Sequence, residues 1–514
     1  MSTMSARLRS SLAAASLLAG GWLPAATPEG PAPAAAAPPE APAAPAPLEA
    51  PAPLTLEDCV RRAIEKGFDI EIQRFNTTIA RDAVDVARGS FIPTLTLAGT
   101  QSHATTAAIQ AFPGTTTDDR TLRFGVSELL TTGTTVGVST DFGRSKNDPP
   151  SVNSIFNPAY TADVTLSVTQ PLLRGAGTAV TTAALNRAKV GSVRAGFDFK
   201  ARALDIVQQT EGAYYNLVFA REQLAVFHVS LDLANRLLDE ARAKKTVGTA
   251  TDIDVLQAQV GVANARSNVL SAEKTVRDNG DALLALIGRF ELDAPLGAAR
   301  FEEFTGELPV AESSYQLALQ NQPDYTSAKL LLDQLKLDLA VARNSLRPTL
   351  NLGGAIGLSG NRGNAADAFD SAANRDNSSW QLDLTLTYPW GRVSDRARYR
   401  QSTATLGQQT LVVRQLEQSI LVQVRSAVRA VETNSEKVKI AALAAQFSAK
   451  QYDLQIARFA AGLATSRDVL QSQADLENSR VAELQARITL LNSISALHRL
   501  EGSSLQRYDV KLPE

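Results

Sequence analysis

The sequence contains 514 residues with 51 basic and 53 acidic side chains, so its formal net charge is only −2. This balance lacks the basic excess of nucleic-acid-binding proteins, and the single cysteine excludes an internal disulfide framework. Aromatic residues make up only 6% of the chain, a low share for a protein with a large globular core.

The first 26 residues have the pattern of a secretory signal peptide. Arg7 and Arg9 precede a short apolar run from Leu12 to Leu23, and small residues at 24–26 offer a cleavage site. The apolar run is too short to cross a bilayer as a helix, and no later segment has 18 uninterrupted apolar residues. We therefore expect an exported chain without a transmembrane helix.

Residues 27–53 consist almost entirely of alanine, proline and glutamate, a composition that predicts a disordered tether. Cys59 raises the alternative of a lipid-modified cysteine. It follows Leu56-Glu57-Asp58 rather than small residues, however, and it lies far beyond the apolar run. We interpret Cys59 as a buried or idle thiol.

Helical sequence is expected from about Leu54 to Phe91, where Thr55 and Asp58 have the spacing of a helix cap and Pro93 ends the pattern. The first repeat, residues 54–293, continues with strands at 94–172, a helix from about 177 to 246, a tip near 248 and a helix at 252–287. After a linker at 294–312, the second repeat, residues 313–502, has a helix to 346, strands at 349–388, a helix at 392–460, a tip near 462 and a helix at 466–500. Residues 503–514 form a C-terminal tail, and the segments 105–120, 145–159 and 359–379 have the composition of exposed loops.

Two local duplications support the division into repeats. From Gly248 and from Gly462, seven of ten positions are identical, in the pattern Gly-x-Ala-Thr-x-x-Asp-Val-Leu-Gln. The segment Val86–Leu95 likewise reappears in altered form at Val341–Leu350. The chain is therefore one module written twice.

The predicted helices are long and have narrow apolar seams. Each module has one helix of about 70 residues, or roughly 100 Å, and two of roughly half that length. Spacings of three and four separate Val413, Leu416, Ile420 and Val424, as in coiled coils. An ordinary antiparallel bundle is one interpretation, but the length and the narrow seams favour a helical wall with water on both sides.

The predicted strands alternate strictly between apolar and polar residues. Leu382, Leu384 and Leu386 alternate with Asp383 and Thr385, which gives one apolar and one polar face. Such strands suit a membrane barrel; the alternative is a sheet packed on a globular core, for which the chain has no segment. Four clear strands are too few to close a barrel, so we expect the chain to oligomerise.

Three motifs, in this order, resemble one known family. They are Gln170-Pro171-Leu172-Leu173-Arg174-Gly175, Ala213-Tyr214-Tyr215-Asn216-Leu217 and the duplicated Gly-x-Ala-Thr segments. Over about residues 54–502 the chain resembles the TolC-like outer membrane factors of Gram-negative bacteria. The resemblance implies a mostly α fold with a membrane β-barrel: a homotrimer whose 12-stranded barrel sits in outer-membrane lipid and continues as a coiled-coil tunnel through the periplasm.

An extra alternating pair, Leu122–Leu129 and Thr134–Phe142, departs from this pattern. If the pair enters the barrel, a trimer has eighteen strands; if it forms an external hairpin, twelve remain. We expect twelve strands and an external hairpin.

The resemblance also implies a passive exit duct. An inner-membrane pump, proton-driven or of the ABC type, would supply the energy, and a periplasmic adaptor would dock on the tips. The residues expected to form these adaptor-docking tips are Val247, Gly248 and Thr249 in the first repeat and Ala461, Gly462 and Leu463 in the second. The alternative interpretation of these residues is a turn that only ends a helix.

Four residues near the second tip match positions of the family's periplasmic aperture. Asp468 matches a family aspartate, Gln471 stands where a second aspartate often lies, Phe459 replaces a tyrosine and Ala464 replaces an arginine. The hypothesis that follows is a gate held more by apolar packing and less by hydrogen bonds. The alternative for Asp468 is a solvated carboxylate in the first turn of a helix.

Nothing in the sequence predicts an enzyme, a cofactor or a metal site. His103, His228 and His498 are isolated, and no phosphate-binding loop, dinucleotide fingerprint or nucleophile elbow is present. We expect small-molecule efflux, with type I protein secretion as the alternative use of the duct. A non-transporting coiled-coil protein of the envelope would explain the helices but not the alternating strands.

Overall fold

The computed structural model of the chain describes residues 55–107, 115–150, 155–288 and 308–510. The predicted signal peptide at 1–26, the whole of the tether at 27–53 and residues 294–307 of the predicted linker lie outside the described residues.

Long helices make up most of the described chain. In the first repeat they are α1 (Leu56–Lys66), α2 (Phe68–Gly89), α3 (Thr178–Thr181), α4 (Ala183–Thr246) and α5 (Asp252–Leu286). In the second repeat they are α6 (Ala311–Asn321), α7 (Pro323–Asn344), α8 (Ala365–Ala373), α9 (Val393–Ala460), α10 (Ser466–Glu501) and α11 (Ser504–Arg507).

Three helices predicted as continuous are each broken once. The expected helix at 177–246 divides at Thr182, between α3 and α4. The expected helix at 54–91 divides at Gly67, where an added Cβ would lie 2.3 Å from the Ala63 carbonyl oxygen, so the chain needs glycine to turn there. The expected helix at 313–346 divides at Pro323, which forces the preceding Gln322 into an extended conformation with ψ of 117°. Thr55 caps α1 as predicted, because its side chain accepts a hydrogen bond from the Asp58 amide.

The two longest helices, α4 with 64 residues and α9 with 68, each extend about 100 Å. Helix α4 packs along α5, and α9 packs along α10. In the second pair the predicted seam is confirmed: Ile420 and Val424 of α9 are buried against Ile494 and Leu497 of α10. The apolar contacts therefore run along a narrow line between helices.

A second region of buried residues joins α1 to the middle of α4 and to α5 and α10. Cys59 is fully buried here, and desolvation raises the pKa of its thiol to about 11, as expected for an idle thiol. The described part of the predicted C-terminal tail also packs here. The Tyr508 hydroxyl donates to Oε1 of the buried Glu211 over 2.5 Å, and the Ser495 hydroxyl donates to the other carboxylate oxygen.

Six antiparallel strands form one sheet in simple sequence order. They are β1 (Thr94–Thr106), β2 (Thr115–Leu129), β3 (Thr135–Asp148), β4 (Ala159–Pro171), β5 (Thr349–Arg362) and β6 (Asn377–Thr387). The expectation of an external hairpin is wrong, because β2 and β3 lie within the sheet. β2 pairs with β1 and β3, and β3 pairs with β2 and β4.

The turn between β2 and β3 is fixed to the corner where β4 leads into the helices. Gly133 has φ of +92°, and a Cβ there would lie 2.7 Å from the Gly175 carbonyl oxygen. The Gly177 amide donates to the Thr132 carbonyl over 3.1 Å. Because these contacts join distant parts of the chain, the inserted pair is an integral part of the sheet.

The register gives the sheet one apolar and one polar face. Leu97, Phe124, Val164 and Leu358 lie in one row on the apolar face. The adjacent positions, such as Asp141, face the other side. Both edge strands, β1 and β6, are solvent-exposed at every residue in the protomer.

Helix α8 corrects the expectation of an exposed loop at 359–379. It packs on the apolar face at the end of the sheet farthest from the long helices, where Ala368 and Ala372 bury Ala162. The rings of Phe369 and Phe142 stack with centroids 6.1 Å apart. Within the described ranges, no helix combines the length and apolar character needed to cross a membrane.

Candidate functional site

The turn between α4 and α5 closes α4 with two hydrogen bonds. The Thr249 amide donates to the Lys244 carbonyl over 2.9 Å, and the Gly248 amide donates to the Lys245 carbonyl over 3.0 Å. Gly248 has φ of +78°, the left-handed conformation that this helix ending requires.

The turn between α9 and α10 repeats the same geometry. The Leu463 amide donates to the Arg458 carbonyl over 2.8 Å, the Gly462 amide donates to the Phe459 carbonyl over 3.1 Å, and φ of Gly462 is +76°. The two glycines of the duplicated motif therefore have a local structural role.

The Thr and Asp of the duplicated motif also have a local role, as reciprocal helix caps. The Thr465 side chain accepts from the Asp468 amide over 3.3 Å, and the Thr465 amide donates to the Asp468 carboxylate over 2.9 Å. Thr251 and Asp254 make the same two bonds at the start of α5. Each pair satisfies two amides that a helix start leaves unpaired.

The carboxyl of Asp468 is held by this cap. Hydrogen bonds from the Thr465 amide and hydroxyl keep its pKa below the usual range. The structure thus gives Asp468 the first-turn role that the sequence offered as an alternative. Gln471 is exposed and donates to Asp475 on the same helix over 3.0 Å, so the protomer does not join it to Asp468.

Two apolar side chains at the tips have no such local role. Val247 is 72% exposed and Leu463 is 70% exposed, and each lies beside the glycine that turns its helix. Ala461 and Thr249 are also exposed. The side chains that the turns leave free are therefore small or apolar.

Phe459 is buried close to the second tip, with 6% of its surface exposed. It packs with Leu237 of α4, Tyr452 of α9 and Val469 of α10, and Ala464 lies against the same cluster. Its side chain therefore holds three helices together within one protomer.

Lys244 joins the two tips and was missed by sequence reasoning. Its Nζ lies 3.6 Å from the centroid of the Phe459 ring and donates to the Phe459 carbonyl over 2.5 Å. A lysine in the last turn of a helix interacts favourably with the negative end of the helix dipole. Only the fold shows that Lys244 also reaches the end of a second helix. A cation over an aromatic face adds about 0.5–2 kcal/mol of attraction.

A groove between α5 and α10 lies next to the tips and was also missed. Its volume is about 510 Å³, and Leu256, Val260 and Leu470 form much of its apolar lining. Ile253, Leu256 and Val260 are at least half exposed and follow one face of α5. The spacing of three and four between these residues is the sequence signal that could have indicated an apolar face on α5.

A sequence profile of the family described as outer membrane efflux protein matches residues 135–289 and 314–503. The chain belongs to this family. Its two matched segments contain both tips and most of both repeats. The family comprises channel proteins of the outer membrane rather than enzymes, so the outer membrane is the location of this chain.

Known proteins similar to the chain agree with this assignment. The pyoverdine export outer membrane protein OpmQ of Pseudomonas aeruginosa is 23% identical over 330 residues, which cover 62% of this chain and 66% of the relative. The chain thus spans just under two thirds of that relative's length.

Solved structures share the fold. The outer-membrane channel OprN has a TM-score of 0.69 at 16% identity, covering 87% of this chain and 90% of the other. The CmeC outer membrane channel of Campylobacter jejuni has a TM-score of 0.66 at 17% identity, covering 87% and 86%. The combination of a sheet with long helices is therefore a shared architecture.

Proposed function

We propose that the protein is the outer-membrane exit duct of a tripartite export system. It passively conducts substrates that an inner-membrane pump and a periplasmic adaptor deliver. The observation that carries this proposal is the joining of a sheet with one apolar face to helices of about 100 Å that end in exposed apolar tips.

The functional unit in this proposal is a homotrimer with an eighteen-stranded barrel. The exposed edges of β1 and β6 support it, because unpaired backbone groups are not tolerated in lipid. With six alternating strands, β6 of one protomer runs antiparallel to β1 of the next. Barrel diameter grows about linearly with strand number, so eighteen strands give about 1.5 times the width of twelve.

A strand count by cryo-electron microscopy of the purified full-length protein in nanodiscs tests this assembly. We expect three copies and eighteen strands, with β2 and β3 in the barrel wall. A twelve-stranded barrel with β2 and β3 outside it would refute the proposed assembly.

The adaptor-docking surface in this proposal consists of Val247, Leu463 and the groove between α5 and α10. Apolar side chains at a helix turn, beside an apolar groove, fit the hydrophobic face of an incoming helix. The glycines and the capping residues shape this surface without contacting the partner through their side chains.

The resting state in this proposal is held more by apolar packing and less by hydrogen bonds. Phe459, Lys244 and Ala464 support it, since they join α4, α9 and α10 close to the second tip. Opening the aperture would separate these helices and expose the Phe459 ring.

We propose small-molecule efflux as the use of the duct, and protein secretion as the second candidate. The relative named for pyoverdine export matches over 330 residues. A relative named alkaline protease secretion protein AprF matches over 203 residues, or 38% of this chain. The longer match favours the first use.

A photo-crosslinking amino acid at Leu463 in living cells tests the partners. The matched control is Leu454, which is 62% exposed on α9 but lies away from the turn. We expect an adaptor at Leu463 and less or none at Leu454. A proton-driven pump in the captured complex would identify efflux, and an ABC transporter encoded beside a large secreted protein would identify secretion. Equal labelling at both positions would refute docking at the tip.

A further inference from the structure

A row of basic side chains crosses the apolar face of the sheet near the end farthest from the long helices. In register across β1 to β5 lie Gln101, Arg120, Arg144, Tyr160 and Arg362. Arg120 is directly opposite Arg144. Like charges in directly opposed positions destabilise a strand pair, so this arrangement needs a counter-charge.

Two acidic side chains near this row already have partners. Asp376 pairs with Arg362, with Nη2 and Oδ2 3.0 Å apart. In the next row outward, Asp118 contacts His103 over 2.6 Å and is opposite Lys146. Asp118 is near enough to Arg120 for an electrostatic interaction, but neither acid forms an ion pair with the two opposed arginines.

Arg120 and Arg144 form no ion pair with any residue of the described chain. In sequence, the segments that follow β1 and β3, residues 107–114 and 149–158, contain no Asp or Glu. Arg144 is held in place by Tyr160, since its Nε donates to the tyrosine hydroxyl over 3.3 Å. The two guanidinium groups thus lie on one face without an ion-pair partner in the described chain, and the hydrogen bond to Tyr160 holds Arg144 in position.

A cavity of about 260 Å³ lies between these arginines and helix α8. Its lining includes Arg120, Leu122, Phe142, Arg144, Tyr160 and Ala365. One side of the cavity is therefore cationic and the other is apolar, and Phe369 of α8 stacks on Phe142 beside it.

The apolar side of this cavity is continuous with the apolar face of the sheet. Leu122, Phe142 and Ala162 form the row next to the arginines, and Phe124 and Val164 follow in the row after that. In an outer-membrane barrel the apolar face contacts lipid, and the arginines then lie where the hydrocarbon region gives way to headgroups.

We propose that Arg120 and Arg144, with Tyr160 and α8, bind the phosphate group of an anionic lipid in the outer leaflet. The planar guanidinium groups offer paired N–H donors that match phosphate oxygens, and the phosphate supplies the missing negative charge. The acyl chains of the same lipid lie along Leu122 and Phe124. This site depends on the outer-membrane location and not on which substrate the duct conducts.

Native mass spectrometry of the purified full-length protein, titrated with the phosphorylated glycolipid lipid A, tests the site. We expect the variant Arg120→Gln/Arg144→Gln to bind lipid A at least tenfold more weakly than the unchanged protein. The matched control is Arg123→Gln/Asp141→Asn, which removes an ion pair from the same two strands on the opposite face. It should bind lipid A like the unchanged protein, and an equal loss in the control would overturn the proposal.

Two further probes separate lipid from free anion. Dephosphorylated lipid A should bind the unchanged protein and the glutamine variant equally, since it lacks the group that the arginines recognise. Inorganic phosphate that binds as tightly as lipid A would show a free-anion site and overturn the lipid assignment. If the glutamine variant fails to assemble, Arg120→Lys/Arg144→Lys keeps the charges without the planar donors. It should bind lipid A at least threefold more weakly, and unchanged binding would refute the paired-donor mechanism.

Discussion

Replacement of Phe459 by alanine tests whether apolar packing holds the second tip closed. The ring is 6% exposed among Leu237, Tyr452 and Val469, and Lys244 lies 3.6 Å from its centroid. Truncation of a buried phenylalanine costs about 3–5 kcal/mol. Because 1.4 kcal/mol is a factor of ten, the lower value already raises the locally open population about a hundredfold.

Two assays on the same preparation measure this effect. Hydrogen exchange of the amides at 455–463 reports local opening of the helix end, and single-channel conductance in planar bilayers reports the resting aperture. We expect faster exchange and a higher resting conductance for Phe459→Ala. Phe459→Leu keeps most of the apolar volume but loses the cation–aromatic contact, so its effect on exchange should be smaller than that of Phe459→Ala.

The two assays separate the steps of the reasoning. Unchanged exchange in Phe459→Ala would refute the packing energy assigned to the ring. Faster exchange with unchanged conductance would show that the packed cluster does not control the aperture, and the hypothesis of an apolar latch would fail.

Three other changes have defined outcomes. The lowered pKa of Asp468 means that its cap stabilises the tip above the ordinary carboxyl pKa of about 3.9 and is lost as the pH falls through the lowered folded-state value. On acidification, the amides at 465–469 of the unchanged protein should lose protection from hydrogen exchange, after correction for intrinsic rates. In Asp468→Asn, which has no carboxyl to protonate at this position, the protection of these amides should not change with pH. Gly462→Ala places a Cβ at φ of +76° and should destabilise the tip by about 1–2 kcal/mol, measured as faster local exchange. Gly133→Val should lower the yield of assembled protein on native gels, because its Cβ meets the Gly175 carbonyl at 2.7 Å, whereas Gly99→Ala, with open space around it, should not.

The tips could be predicted from sequence because their structure is encoded within a few residues. A glycine that ends one helix and a threonine with an aspartate three residues later that starts the next need no distant contact. The same local logic identified Thr55 as the cap of α1. Asp468 and Asp254 occupy the same capping position, so the aspartate is needed at both helix starts regardless of any role at the aperture.

The position of β2 and β3 could not be predicted in the same way. Alternation shows that a segment is a strand, but it does not show which strands are its neighbours. Their place in the sheet depends on long-range pairing and on the contact of Gly133 with Gly175. Helix α8 has only nine residues, too few for a periodic signal, although Asn364 is a local sign because its side chain accepts from the Asp367 amide over 2.8 Å.

The two tips share a backbone but differ in the side chains that the backbone leaves free. Phe459 aligns with Lys245, and exposed Leu463 aligns with Thr249. Only the second tip therefore contributes a buried ring, and the first contributes the cation of Lys244 that covers it. Helix α5 presents an exposed apolar residue at Ile253 where α10 has a charged Arg467. Since the glycines and caps fix the same turn in both modules, the differences lie at the positions available to a partner or to the opposite tip. In the proposed function, the second tip is specialised for holding the helices of the protomer together at rest. Both tips keep an exposed apolar side chain for docking.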